Sequence, residues 1–230
     1  CPSYIVDPVC VDEMAPLARY SGHPLIKRKA LSHALNIGAV VNKRVEELNK
    51  NIKHTRFVVA HLGGGISVAA VKGGRIIDVN NAAADGPFSP ERSGTLPMLQ
   101  FVDLCFSNDY AKADVKKIVM GNGGLKAYLG TADVTQIEEK ISSNDSSAKE
   151  VFNAMCYQIA KEIGAVSAVL KGNVDGIILT GGMARSKRLT DTIAAYVEFI
   201  APVKLVPGEH EMKALAEGAI RALRGQEQVK

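Results

Sequence analysis

Tryptophan is absent from this sequence, and all aromatic residues together make up 5% of it. A core without large rings must be filled by Val, Ile, Leu and Ala, and hydrophobic residues reach 47%. Aliphatic cores with abundant glycine, here 21 residues, suit α/β proteins with buried parallel strands. Missing too is any apolar run near the roughly 18 residues of a membrane span. The four cysteines, Cys1, Cys10, Cys105 and Cys156, lie far apart and form no C-x-x-C pair. That spacing points to neither a zinc site nor a disulfide framework, and the expectation is reduced thiols in a cytoplasmic protein. Charge of neither sign dominates, since 28 Lys and Arg against 24 Asp and Glu leave +4. The basic residues are dispersed, with short clusters such as Lys27-Arg28-Lys29 and no interleaved aromatics. Neither nucleic acid nor a membrane is therefore expected as a partner. No signal peptide is expected, and the sequence does not open with Met. The chain opens CPSYIVDPV, straight into apolar residues, which suggests a fragment or a processed chain because termini usually begin outside the core.

What is present reads as alternating strands and helices, without internal repeats. The length of 230 residues allows one large domain or two small ones. Residues 4–11 read as a buried strand ending near Asp7-Pro8. A helix is expected from about Ala30 to Leu48, on the spacing of Leu31, Leu35, Val41, Val45 and Leu48. Residues 56–60, 66–71 and 76–79 form a three-strand meander with a hairpin at Gly73-Gly74. Residues 80–97 lack periodicity, and a loop of that length in a compact domain is usually functional or disordered. Helices are predicted near 98–106 and 111–119, broken again at Gly121 to Gly124. The clearest helix spans 148–171, with Ser147 and Glu150 in a capping-box pattern and Gly172 at its end. A buried strand over 174–180, a helix opening near Ser186, a strand Val203 to Val206 and a last helix from about Glu211 to Leu223 complete the chain.

Two places share one design, an apolar strand, then glycines, then a new element. One is Ala60-His61-Leu62-Gly63-Gly64-Gly65-Ile66-Ser67, the other Leu179-Thr180-Gly181-Gly182-Met183-Ala184-Arg185-Ser186. Glycine permits positive φ and close approach of a backbone to a ligand. Backbone N–H groups in such turns make anion-binding concavities, to which a helix N-terminus adds its dipole. Neither stretch matches the G-x-x-x-x-G-K-[ST] or G-x-G-x-x-G patterns, and either alone is equally compatible with a tight hairpin. Two in one aliphatic α/β chain favour a phosphate-bearing ligand. Arg92, on the Gly/Pro-rich loop, is suited to bidentate contact with a phosphoryl group or carboxylate, although most arginines are simply solvated. Asp7, at the expected strand end, could hold metal or cap a turn. His33 could be a partly buried helix residue, and His61 could bond neighbouring backbone.

The stretches VAHLGGGISVAAVKGGRIIDVNN, GPFSPERSGTLP, GGLKAYLGT, YQIAKEIGAVSAVLKG and IILTGGMARSKR, in this order, resemble the acetate kinase family, and within it the butyrate kinases. The resemblance covers essentially all 230 residues, and GPFSPERSGTLP is its most specific part. It implies the ribonuclease H-like α/β fold of the acetate and sugar kinase, chaperone ATPase and actin superfamily, with ATP between two domains. It implies that His61, Gly63, Gly64, Gly65 and Ser67 belong to the second phosphate loop, and Gly181, Gly182, Met183 and Arg185 to the adenosine motif. Arg92, His33 and Asp7 fall on active-site positions, and Glu211 or Glu209, with Asp7, on the Mg²⁺ site. The family's Gly/Ser-rich first phosphate loop, of the type N-P-G-S-T-S-T-K, and a second active-site arginine have no counterpart here. The implied division is a remnant of a first domain over 1–30, a second nucleotide-binding domain over 31–208 and a helix over 209–230 packing back on the first.

The implied reaction is phosphoryl transfer between ATP and butanoate, or a related short or branched acid, with the chain as it stands expected to be inactive. The resemblance also implies a homodimer or larger homo-oligomer, and an exposed remnant made sticky by Ile5, Val6 and Val9. The alternatives are an actin- or chaperone-like ATP switch, or a sugar kinase. The loop carrying Arg92 speaks against the switch, and no sugar-binding pattern is evident.

Overall fold

The computed structural model describes residues 5–209 and 211–225. Tyr4, Cys1, His210 and residues 226–230, on which parts of the expectations above fall, lie outside the described residues. The centre is a five-stranded mixed sheet in the order β3-β2-β1-β4-β5. Its strands are β1 (Arg56–Leu62), β2 (Ile66–Lys72), β3 (Arg75–Val79), β4 (Gly176–Gly181) and β5 (Val203–Pro207). The meander β1-β2-β3 is antiparallel, as hairpin connections require, whereas β4 and β5 join parallel to β1 after helical crossovers.

Strands buried on both faces read as continuous apolar runs, and each face of this sheet has its own core. On one face, Val58, Ala60, Val68, Ile177 and Leu179 pack with Phe152, Met155, Ile159 and Ile163 of α6 (Ser146–Val169). Leu189 and Ile193 of α7 (Lys187–Val197) complete that layer. On the other face, Phe57, Val59, Ala69, Val71 and Ile178 meet Ile37, Val40 and Val41 of α1 (Ala34–Glu47). The last helix, α8 (Glu211–Leu223), packs on α1 with Ala214 and Gly218 buried. Between β3 and α6 lie α2 (Met98–Cys105), α3 (Lys112–Val119), α4 (Gly124–Leu129) and α5 (Val134–Ser142). The first two match expectation. The others were not predicted: α4 has only 6 residues, and α5 is signalled chiefly by its Asp133 cap and the pair Ile137 and Ile141.

Four expectations need correction. Residues 5–11 form no strand: Asp7 has φ 39°, and the Val11 amide closes a turn onto the Pro8 carbonyl at 2.8 Å. A strand needs a neighbouring backbone to pair with, and this segment instead runs on to cover the β3 edge. There the Ala15 amide bonds the Ile77 carbonyl, and Arg28 bonds the Val79 carbonyl and the Asp78 carboxylate. Ile5 and Val9 are exposed as expected, but Val6 packs against Gly218 of α8. Helix α1 starts at Ala34, four residues later than Ala30. Helix α6 starts earlier than predicted, because Asp145 rather than Ser147 is its N-cap and accepts from the Ala148 amide at 2.9 Å. Cys10, Cys105 and Cys156 are free thiols. No described helix is long and apolar enough to cross a membrane.

Candidate active site

At the end of β1 three polar side chains stand in a row across the sheet. His61 pairs in register with Ser67 of β2 on one side and with Thr180 of β4 on the other. Strand alternation sends all three to the face covered by α1, and none is more than 1% exposed. Helix α1 adds two groups from above. His33, its N-cap, stacks on His61 with centroids 3.8 Å apart and planes 7° apart. His33 Nδ1 lies 2.9 Å from Ser67 Oγ. Asn36, three residues on and so on the same helix face, places its Nδ2 2.8 Å from His61 Nδ1 and donates to Thr180 Oγ1 at 3.1 Å.

Burial pushes the His61 imidazole down to about 3, and the neighbouring His33 adds to the shift. His33 is lowered to about 4, by burial first and by the Arg92 guanidinium second. Both rings are therefore neutral at pH 7. Among the described residues the buried His61 Nε2 has no hydrogen-bond partner, and it faces Gly63.

Arg92 is brought here by a loop that folds back on itself. Ser89 and Arg92 exchange backbone and side-chain hydrogen bonds, and Ser89 Oγ donates to the Gly64 carbonyl at 2.6 Å. The guanidinium donates through Nη1 to the Ala82 carbonyl and lies across Gly65. It is thus held and partly buried rather than freely solvated. None of Gly63, Gly64 and Gly65 has a positive φ, so backbone conformation does not explain this triplet. At Gly65 space does: a Cβ there would stand 2.0 Å from Arg92 Nη1. Gly181 differs. Its φ is 90°, and a Cβ there would meet the Leu62 carbonyl oxygen at 2.4 Å, so the two glycine turns touch back to back.

Both turns open onto one cleft of about 550 Å³, lined by Gly63, Gly64, Gly182, Met183, Arg185 and Glu209. Glu91, Asp133 and Glu138 give its wall a surplus of carboxylates over the single Arg185. Ser186 caps α7 and also donates to Glu138, so this helix N-terminus is already partly satisfied by its own side chain. Asp7 is placed apart. Its carboxylate faces Gly38 on α1, about 7.5 Å along the helix axis from His33, in a groove shared with Glu13 and Arg221. Of the two candidate glutamates, Glu209 lines the cleft, whereas Glu211 is exposed at the start of α8 and lines neither cavity. Among the described residues no three His, Cys, Asp or Glu side chains converge as a metal cage.

Sequence reasoning missed Asn36, Thr180, Ser89, Asp133 and Glu138. Asn36 had a signal in its i+3 spacing from His33. Thr180 became significant only through the register that sets it beside His61.

Residues 23–201 match the model of the acetokinase family. The chain is 55% identical over 226 residues to a protein named "Probable butyrate kinase 2" from Caldanaerobacter subterraneus subsp. tengcongensis, covering 98% of this chain and 64% of that protein. It is 51% identical over 230 residues to a "Probable butyrate kinase" from Listeria innocua, covering 100% of this chain and 65% of the relative. The chain thus spans slightly less than two thirds of these relatives' length. The crystal structure of Porphyromonas gingivalis acetate kinase superposes with a TM-score of 0.83 at 21% identity, over 93% of this chain and 62% of that one. A propionate kinase from Francisella tularensis gives 0.80 at 17% identity, over 90% and 61%. At those identities the likeness shows the fold, that of the acetate and propionate kinases.

Proposed function

The chain belongs to the acetokinase family, and on that premise we propose that it carries the nucleotide and phosphoryl-transfer site of an ATP-dependent carboxylate kinase. The acceptor in this reading is butanoate or a related short or branched acid, and the reaction is ATP plus butanoate giving ADP plus butanoyl phosphate. The observation that carries the reading is the convergence of His33, His61 and Arg92 on the β1–β2 glycine turn at the cleft. The names of the butyrate kinase relatives support the choice of acid.

A carboxylate is already a nucleophile at neutral pH, so no general base is required. Catalysis reduces to aligning two anions and spreading the charge of the moving phosphoryl group. Arg92 supplies a planar, permanently charged fork for equatorial oxygens. His33 and His61 supply neutral N–H donors, and the glycine turns let backbone N–H groups approach the phosphates. Gly181, Gly182, Met183 and Arg185 hold the adenosine side of the cleft in this reading. Mg²⁺ fits as a partner of the nucleotide, since it commonly binds through one or two carboxylates together with substrate phosphates. Glu209 is the carboxylate placed for that, and the ion would offset phosphate charge against the acidic wall. Neither Asp7 nor Glu211 stands in that wall.

The same reading assigns residues 1–30 to a first-domain segment, 31–208 to the second domain and 209–230 to a helix that packs back on the first. It also takes a second copy of the chain as partner, with Met98 and Leu99 of α2 and its C-cap Phe106 as exposed apolar side chains available for it. Light scattering tests that assignment, and a monomer would refute it. We assign the reaction to the cytoplasm, where ATP is supplied.

The test has two arms. Calorimetry reads ADP·Mg binding to the 230-residue chain. An acyl-hydroxamate assay compares butanoate, isobutyrate, propionate and acetate in a protein of the relatives' length that carries this sequence. Arg92→Ala in that protein is expected to lower turnover by about 10²–10³-fold, the usual effect of removing one charge-stabilising donor. Near-normal turnover removes Arg92 from its role. Nucleotide binding without acyl phosphate formation would favour an ATP-binding switch instead.

A further inference from the structure

Among the described residues, His61 is buried, neutral and partnered at only one of its two ring nitrogens, which raises the question of which nitrogen carries the proton. The hydrogen-bond chain around it answers. Thr180 Oγ1 has a single proton, directed to the Gly208 carbonyl at 3.4 Å. It can therefore only accept from Asn36, and the group of Asn36 that faces it must be the amide nitrogen. The same nitrogen lies 2.8 Å from His61 Nδ1. With one amide hydrogen on Thr180 and the other on His61, Nδ1 must present its lone pair. The proton of the neutral ring then sits on Nε2, the atom that is buried without a partner and faces Gly63 at the cleft wall. A buried donor is costly to leave unpaired, so an acceptor is expected to arrive there with the ligand.

We infer that Asn36 is a positioning residue which, oriented by Thr180, locks His61 as the Nε2–H tautomer and so aims a neutral N–H donor at the phosphoryl group. The inference rests on the phosphoryl-transfer reading for the identity of the acceptor, but the tautomer itself does not. Neutral imidazole is an established form of electrophilic donor, in which tautomer and direction decide function. The sheet register makes the lock possible, because Thr180 and His61 are direct neighbours on β4 and β1 and α1 lays Asn36 over both. The stacked His33 holds the ring plane from the other side.

Long-range proton–nitrogen NMR of the histidine-labelled 230-residue chain reads the tautomer directly. The expected result is a protonated Nε2 and a bare Nδ1 on His61 near pH 7. Asn36→Asp keeps the shape but offers a carboxylate to Nδ1, and is expected to move the proton there. Thr180→Val, which frees the amide to rotate, is expected to give a mixture of tautomers. In a protein of the relatives' length that carries this sequence, both variants are expected to lower kcat by about 10²-fold or more, with the KM for nucleotide changed by no more than about twofold. A wild-type proton on Nδ1 overturns the inference, as does an Asn36→Asp chain whose tautomer and kcat match wild type. If the tautomer follows Asn36 while the wild-type protein makes no acyl phosphate, the lock stands and the phosphoryl-transfer reading fails.

Discussion

The guanidinium of Arg92 lies across the backbone of Gly65, so close that a Cβ on that glycine would stand 2.4 Å from Cζ and 2.0 Å from Nη1. The glycine is thus the floor on which the arginine rests. Gly65→Ala must push the guanidinium away from the histidine pair. The expected outcome is a turnover loss comparable to that of Arg92→Ala, about 10²-fold or more, with about 1–3 kcal/mol of stability lost to overpacking. Gly64→Ala meets only Glu91 Oε2 at 3.8 Å, so its melting temperature is expected to equal that of wild type. Thermal unfolding of both variants, with the hydroxamate assay for Gly65→Ala, checks the pair. Full turnover in Gly65→Ala would show that Arg92 can work from elsewhere.

The histidine pair makes folding sensitive to acid. In the unfolded chain both imidazoles take a proton near 6.5, whereas in the folded chain His33 does so only at about 4 and His61 at about 3. Below 6.5 the unfolded state binds more protons, so stability is complete above that pH and falls as pH drops toward the folded values. Between pH 6.5 and about pH 5 each histidine is expected to remove roughly 1.5–2 kcal/mol. Urea unfolding at the two pH values measures it. A flat profile would mean that the rings are solvated.

Glu162 on α6 acts in the opposite sense. Burial first, and then the charge of Asp85, push its carboxyl above the usual range, with Arg28 only partly offsetting. A raised carboxyl is a cost to the folded state above its folded pKa, and that cost disappears as pH falls through it. Glu162→Gln is therefore expected to add about 1 kcal/mol at neutral pH, and less as the solution is acidified. Urea midpoints across pH decide it. No gain at neutral pH would show that Arg28 already balances the group.

The start of α6 offers a local test. Asp145 caps the Ala148 amide, so Asp145→Ala is expected to cost about 0.5–2 kcal/mol. Ser147→Ala, at the position where the sequence pattern places the cap, is expected to change stability by less than about 0.5 kcal/mol. The reverse order would place the helix start at the predicted residue.

How much of the protein could be read from its sequence depends on the range of the forces involved. The meander β1-β2-β3, the strands β4 and β5, the helices α2, α3, α7 and α8 and the long loop were all legible. Their signals are apolar periodicity and turn residues acting over a few positions. The acetokinase resemblance of GPFSPERSGTLP was legible for the same reason, since the loop folds on itself around Ser89 and Arg92. Asp7 was misplaced on a strand because apolar residues alone cannot say whether a neighbouring strand exists to pair with. The glycine triplet was noticed for positive φ and for close approach to a ligand, and positive φ is not used by any of the three. Gly65 leaves room for a side chain 27 positions away.

The sequence by itself determined the aliphatic two-faced sheet and the glycine turns at its strand ends, because burial and backbone freedom are written residue by residue. Only the tertiary structure decided that His33 and Ser67 form one hydrogen-bonded pair, that Asn36, His61 and Thr180 form another group, and that the two join through the stacked imidazoles. Hydrogen bonds act over about 3 Å, and the bonded pairs, 25 to 144 positions apart along the chain, reach that distance only when strand register and helix α1 are both in place.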